Sequence, residues 1–176
     1  MISIRKATRE DAEFIARMVM MALHMDDNKE IAARMVHVSQ LDDTLYSWRN
    51  CSIAECDGEK TGICLAYDGA GYHTMRMKTF HLFGNNEDIK NQADETGEGE
   101  FYIDSLAVLP EYRRKGMAMK LLDDAIATAG KQGLVPTLLV LPHNPAAQSL
   151  YSRMGFRYSS RQFAFGETYE KWKVLE

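Results

Sequence analysis

The chain has 176 residues, 45% hydrophobic and 26% charged, with a formal net charge of -4. That length is expected to form one domain over 1–176 with a core of its own. The acidic balance speaks against a nucleic-acid partner or an anionic membrane surface, since such binding rests on many Lys and Arg contacts. No stretch approaches the roughly 20 apolar residues of a membrane span. The start, MISIRKATREDAEFI, lacks a signal-peptide core, so a cytoplasmic protein is expected.

Taken in order, residues 2–7 alternate apolar and polar and read as a half-buried strand. Thr8, three residues before Asp11, reads as the cap of a helix running to about Leu23. A second helix is expected over 28–38 and a short third over 42–49. Residues 52–55 and 62–67 read as strands of a hairpin around Asp57-Gly58-Glu59-Lys60. Residues 72–83 read as helical, and the polar, acidic, glycine-dotted run 85–99 as a mobile surface loop. There follow a strand over about 100–109, a helix over 116–130, a strand over 137–141 and a short helix over 145–154 ending at Gly155. Two strands, about 156–163 and 168–175, close the chain. Strands alternating with helices and flanked by hairpins indicate an α/β (α+β) layer fold with a mixed sheet. Cys51, Cys56 and Cys64 are odd in number and lack Cys-x-x-Cys spacing, so reduced thiols and no metal are expected.

The most informative stretch is 104–129, DSLAVLPEYRRKGMAMKLLDDAIATA. An apolar strand end runs into a cationic turn, Arg113-Arg114-Lys115-Gly116, and a helix starts at once. Its apolar positions, Ala118, Leu121, Leu122, Ala125, Ile126 and Ala129, follow the spacing of one helical face. A helix N-terminus presents unpaired N–H groups and the positive end of the dipole, which suits a phosphate-bearing ligand. Walker and dinucleotide glycine patterns are absent.

Arg113-x-x-Gly116-x-Ala118 resembles the Arg/Gln-x-x-Gly-x-Gly/Ala motif of the GNAT superfamily of N-acetyltransferases. The segment from Asn144 to Phe156 is similar to the Asn-x-x-Ala-x-x-Leu-Tyr-x-x-x-Gly-Phe signature of the same family. The specific agreement covers about 104–156. Ala118 stands where a second glycine is commoner, and its small side chain still permits close approach.

The resemblance implies a GNAT-like fold, a central mixed, mostly antiparallel twisted sheet flanked by helices, with a CoA-binding core over about 100–156. It implies acetyl-CoA as co-substrate and direct transfer to an amine. The pyrophosphate would lie over Arg114, Lys115, Gly116, Met117 and Ala118, with Arg113, Asn144, Ala147 and Tyr151 near the cofactor. The pantetheine arm would run along Leu106, Ala107 and Val108. Val108 would offer its backbone N–H to the oxyanion, and Tyr151 would act as general acid toward the thiolate. Amine attack needs a base. Glu100, Tyr102 and Asp104 share a strand face unless a bulge shifts the register. Asp104, closest to the acyl position, is preferred, with Glu100 behind it, and water as base beside a structural or solvated carboxylate is the alternative. Family acceptors are gripped by the first helices and the flanking strands, which gives Met20, His24, Asp26, Tyr67, Tyr72 and His73. The acceptor, a small amine or a peptide, and the choice of monomer or homodimer stay open. A non-catalytic CoA- or acyl-CoA-binding module is the alternative to an enzyme.

Overall fold

The computed structural model describes residues 1–25, 28–84 and 91–175. Seven strands form one sheet: β1 (Ile2–Lys6), β2 (Cys51–Cys56), β3 (Glu59–Asp68), β4 (Glu100–Val108), β5 (Val135–Val140), β6 (Phe156–Ala164) and β7 (Glu167–Val174). Their spatial order is β1-β2-β3-β4-β5-β7-β6. Among the described residues only β4 and β5 pair in parallel, and every other neighbouring pair is antiparallel. The helices are α1 (Ala12–Ala22), α2 (Lys29–Gln40), α3 (Tyr72–Leu82), α4 (Met117–Gln132) and α5 (Pro145–Arg153).

The sheet separates two apolar layers. On one face Ile53, Ile63, Leu65 and Ala107 pack with Ile15, Val19 and Met35 of α1 and α2. On the other, Cys64, Phe101, Ile103 and Val108 pack with Leu121, Leu122, Ala125 and Ala129 of α4. Those four α4 residues belong to the apolar stripe read from the sequence, which explains why α4 lies flat on the sheet. Tyr67, Tyr72, Tyr102 and Leu45 form a third, aromatic cluster beside α3.

Two expectations fail. Residues 42–49 do not form a helix; they run as turns and bends into a 3-10 turn over Trp48–Asn50. Their polar groups are satisfied by other partners: Thr44 donates to the Val38 carbonyl, the Leu45 N–H donates to Thr79, and Trp48 donates to Asp42. In the expected surface loop, 85–90 lie outside the described residues, and 91–99 lie at the surface, with 91, 93, 94, 98 and 99 exposed, but are tied down by hydrogen bonds. Arg76 donates to the carbonyls of Gln92 and Ala93, Gln162 to that of Asp94, and Lys171 to that of Glu95. The segment is a strap across the end of β4.

Candidate active site

The site begins with where β4 stops pairing. β4 runs beside β3 over almost its full length, but meets β5 only over Glu100–Ile103 against Val135–Leu138. β5 then continues beside β7, so β4 and β5 diverge and β4 has a free edge beyond Ile103. Backbone directions along that edge follow from one hydrogen bond. The Leu109 N–H donates to the Thr61 carbonyl at 2.8 Å. In an antiparallel ladder the groups of alternate residues then point away from the partner strand, which turns those of Val108 and Leu106 into the opening. The Val108 carbonyl accepts from Arg113 Nε at 3.0 Å. Its N–H is left facing the gap.

Ala107 departs from expectation. It is paired with Ile63 of β3, and its side chain is buried among α1 and α2 residues. It faces away from the opening, as strand alternation requires.

After β4 a 3-10 turn, Pro110–Tyr112, leads into the cationic segment. Arg114 has φ 59° and Gly116 φ 90°. Backbone of this kind gathers N–H groups into an anion-binding concavity, and α4 starts at the next residue. A Cβ added at Gly116 would meet nothing within 4 Å, so the space over the turn is open. A cavity of about 590 Å³ lies here, lined by Val108, Arg113, Arg114, Gly116, Met117, Ala118 and Ala147 among the expected residues. The Met117 side chain itself is buried in the core, leaving its backbone to line the cavity. Tyr112 and Met119 also line it, and Ala146, Leu150 and Arg153 add one face of α5 at helical spacing.

Lys115 places its ammonium 5.2 Å from the Tyr112 ring centroid. Asn144 caps α5, accepting from the Ala147 N–H at 3.2 Å. Tyr151 packs against the cluster that contains Val108, with its ring 6.0 Å from that of Phe156. Burial, with Cys64 adding to it, pushes the Tyr151 hydroxyl up to about 12.

The second cavity, about 200 Å³, lies further back along β4 and is lined by Tyr46, Tyr72, Tyr102, Tyr169, Glu95, Asp104 and Ser105 among others. Neighbouring residues Asp104 and Ser105 both face it because β4 carries a bulge. Leu65 pairs with Ser105 and Ala66 with Ile103, so Asp104 is the extra residue. The bulge also reverses the alternation: Phe101 and Ile103 face α4 before it, Leu106 and Val108 after it.

The Tyr67 hydroxyl donates to Asp104 Oδ2 at 2.5 Å, and the Ser105 hydroxyl to Oδ1 at 3.1 Å. Burial raises the Asp104 carboxyl to about 7, the nearby Glu95 carboxylate adds to this, and the two hydroxyls partly oppose it. Glu95 is also raised by burial, against hydrogen bonds from Tyr102 and Tyr72 and the charges of Arg76 and Lys171.

Glu100 is placed elsewhere. It accepts from Lys171 Nζ at 2.6 Å and from Thr96 at 2.7 Å and does not line the cavity, so it ties β4 to β7 and the strap. His73 lies on the surface against Asp94, and His24 lines a separate shallow depression with Met25, Asn28 and Lys29. Met20 lines a third depression between α1 and α2. Asp26 lies outside the described residues. Of the proposed acceptor residues, Tyr72 lines the Asp104 cavity and Tyr67 bonds Asp104 itself. Sequence reasoning missed Glu95, Tyr46 and Tyr169. Nothing local marks which acid of an acidic run turns inward. Among the described residues no cluster of three or more His, Cys, Asp or Glu could hold a metal ion, and no helix is long and apolar enough to cross a membrane.

The family model described as the acetyltransferase (GNAT) family matches residues 25–156. The chain belongs to this family. No curated protein sequence matches it. Among solved structures, this GNAT chain is similar to an N-acetyltransferase from Staphylococcus aureus Mu50 (TM-score 0.84, 22% identity, covering 98% of this chain and 100% of that one). A second structure, of an acetyltransferase, has a TM-score of 0.78 and 26% identity, with 98% and 100% covered. The PaiA N-acetyltransferase from Thermoplasma acidophilum, in complex with coenzyme A, has a TM-score of 0.60 and 16% identity, with 99% of each chain covered. The GNAT protein described here is thus an acyltransferase, and acetyl transfer is its family's general reaction.

Proposed function

We propose that this protein moves an acetyl group from acetyl-CoA directly to a primary amine, with both bound at once. The observation that carries the reading is the pair of cavities set along one strand. An open, cationic cavity lies at the N-terminus of α4, and an acidic, aromatic one surrounds Asp104. The free edge of β4 lies between them.

The turn from Arg113 to Ala118 suits a pyrophosphate through backbone N–H groups and charge. The edge groups of Leu106 and Val108 suit an extended arm that pairs as an added strand would. Acetyl-CoA supplies the acetyl group as a thioester. Asp104 takes one proton from the incoming ammonium. Proton transfer from an amine near 10.4 to an ordinary carboxylate near 3.9 is uphill by roughly 9 kcal/mol, against roughly 5 for a carboxyl at about 7. The environment that raises the carboxyl therefore removes about half of that uphill cost.

The amine lone pair then forms the N–C bond, the Val108 N–H steadies the oxyanion, and the C–S bond breaks. Of the two protons the amine loses, one leaves through Asp104 and the other ends on sulfur. Tyr151 is assigned to donate toward the leaving thiolate. Cys51 and Cys64 are buried with their thiols pushed up, Cys64 to about 12. That weighs against a covalent acetyl-enzyme.

The test is thiol release from acetyl-CoA across a panel of small primary amines, with the product identified by mass. Amine-dependent release with an acetylated product is expected. Bound acetyl-CoA without release to any amine would overturn the reading.

A further inference from the structure

Acetyl transfer leaves one carboxylate of the acceptor cavity without a task. Glu95 reaches the cavity from the strap, and its side chain accepts from the Tyr102 hydroxyl. The strap is tied on both sides. Arg76 of α3 donates to the Gln92 carbonyl at 2.8 Å, Lys171 of β7 to the Glu95 carbonyl at 3.0 Å, and the Phe165 N–H to Gln92 Oε1 at 2.7 Å. Glu95 is thus held at a fixed place, unlike an acid on a free loop.

Among the described residues, no Lys, Arg or His lines the cavity. The cations near Glu95 stand behind the wall. Arg76 lies 5.8 Å from the Tyr72 ring centroid, and the Lys171 ammonium is engaged by Glu100. Two carboxylates therefore face one small cavity with aromatic sides and, among the described residues, no counter-cation in its lining. Their order along β4 is set. Val108 lies at the donor cleft and Asp104 four residues back. Tyr102, which holds Glu95, lies two residues further, or ~7 Å of strand.

We infer that Glu95 is a specificity-determining residue, and that it selects primary amines bearing a second cationic group, short α,ω-diamines in particular. The inference rests on the acetyl-transfer reading. The reacting amine meets Asp104, nearer the donor cleft, and the second ammonium meets Glu95 and the tyrosine rings. A monoamine leaves one carboxylate uncompensated. An amino acid brings a further negative charge into the same acidic space, which the cavity disfavours.

The test takes the whole enzyme with 1,4-diaminobutane, butylamine and 4-aminobutyrate. Each is assayed for acetylation and, by calorimetry, for binding to the CoA-saturated protein. The diamine is expected to exceed butylamine in kcat/KM by about tenfold or more, the gain of one modest charge pair, with 4-aminobutyrate lowest. Glu95→Gln, which can still accept from Tyr102, should bring the diamine-to-monoamine ratio close to one. Glu95→Asp, which keeps the charge, should retain part of the preference. A wild-type ratio near one, or a ratio that survives Glu95→Gln in a protein of unchanged melting temperature, overturns the inference while butylamine acetylation leaves the transfer reading intact. Preferential diamine binding without acetylation overturns the transfer reading and leaves the Glu95 site standing. A diamine neither bound nor acetylated overturns the inference.

Discussion

The Tyr67 hydroxyl donates to Asp104 Oδ2 across two paired strands, at the one residue of β4 that the pairing with β3 skips. The bond favours the charged carboxylate, so it lowers a proton affinity that burial has raised. Tyr67→Phe should therefore move the acid limb of the kcat/KM profile upward from about 7 and reduce turnover at neutral pH. Acetyl-CoA affinity should change little. An acid limb that stays in place would remove Asp104 from the role of base.

Asp104 also sets a stability trend. Its folded value, about 7, lies above the usual carboxylate range. The folded chain thus holds a proton that the unfolded chain has released. Its contribution to stability is fully present below the unfolded value and is lost as pH rises through about 7. Asp104→Asn cannot ionise, so its melting temperature should gain on the parent between pH 5 and pH 8. Its kcat/KM should fall by about two orders of magnitude or more. A melting-temperature difference that is flat across that range would refute the buried, raised carboxyl.

Tyr151, with its hydroxyl near 12, stays protonated at neutral pH. Handing the proton fully to a thiolate of pKa about 8.5 costs roughly 5 kcal/mol, so a hydrogen bond to sulfur is the larger benefit. Tyr151→Phe should lower kcat by about tenfold to a hundredfold and leave the calorimetric affinity for acetyl-CoA within about threefold. Unchanged kcat would take Tyr151 out of the chemistry.

Gly116 has φ 90° with open space where a side chain would start. Gly116→Ala adds no clash within the protein, but it strains the backbone by about 1–2 kcal/mol and places a methyl group over the turn. Acetyl-CoA affinity should drop about tenfold or more with only a modest loss of melting temperature. Equal affinity would reject the turn as the phosphate site.

How much of this was legible beforehand depended on the range of the forces involved. The α4 stripe, the Asn144-Pro145 helix start and the cationic turn are local patterns, and each appears as read. Tyr67 against Asp104 is a contact between residues 37 apart in the chain, and no local spacing encodes it. The bulge was allowed for but not placed. It became visible only through the pairing of β4 with β3, which reverses the face of every later residue. Glu95 was lost in an acidic run whose composition suits solvent. The partners that turn it inward, Tyr102 and the anchors of the strap, come from β4, α3 and β7. Residues 42–49 failed in part for the same reason, the Leu45 N–H being claimed by Thr79, 34 residues away, while Thr44 and Trp48 bond to nearby Val38 and Asp42 instead of a helix.

The parallel pairing of β4 with β5 has a mechanical consequence. Four residue pairs, Glu100–Ile103 with Val135–Leu138, are the whole ladder between the strands β1–β4 and the strands β5, β7 and β6. Beyond that short ladder the core under α4 and Lys171 of β7 on Glu100 of β4 join the two leaves of the sheet. A molecule that fills the cleft acts as a splint between them: at a hundred times its dissociation constant it adds about 2.7 kcal/mol to the cohesion of the fold. The same molecule that is consumed in turnover would then hold the catalyst together, and its depletion would loosen the enzyme as well as starve it.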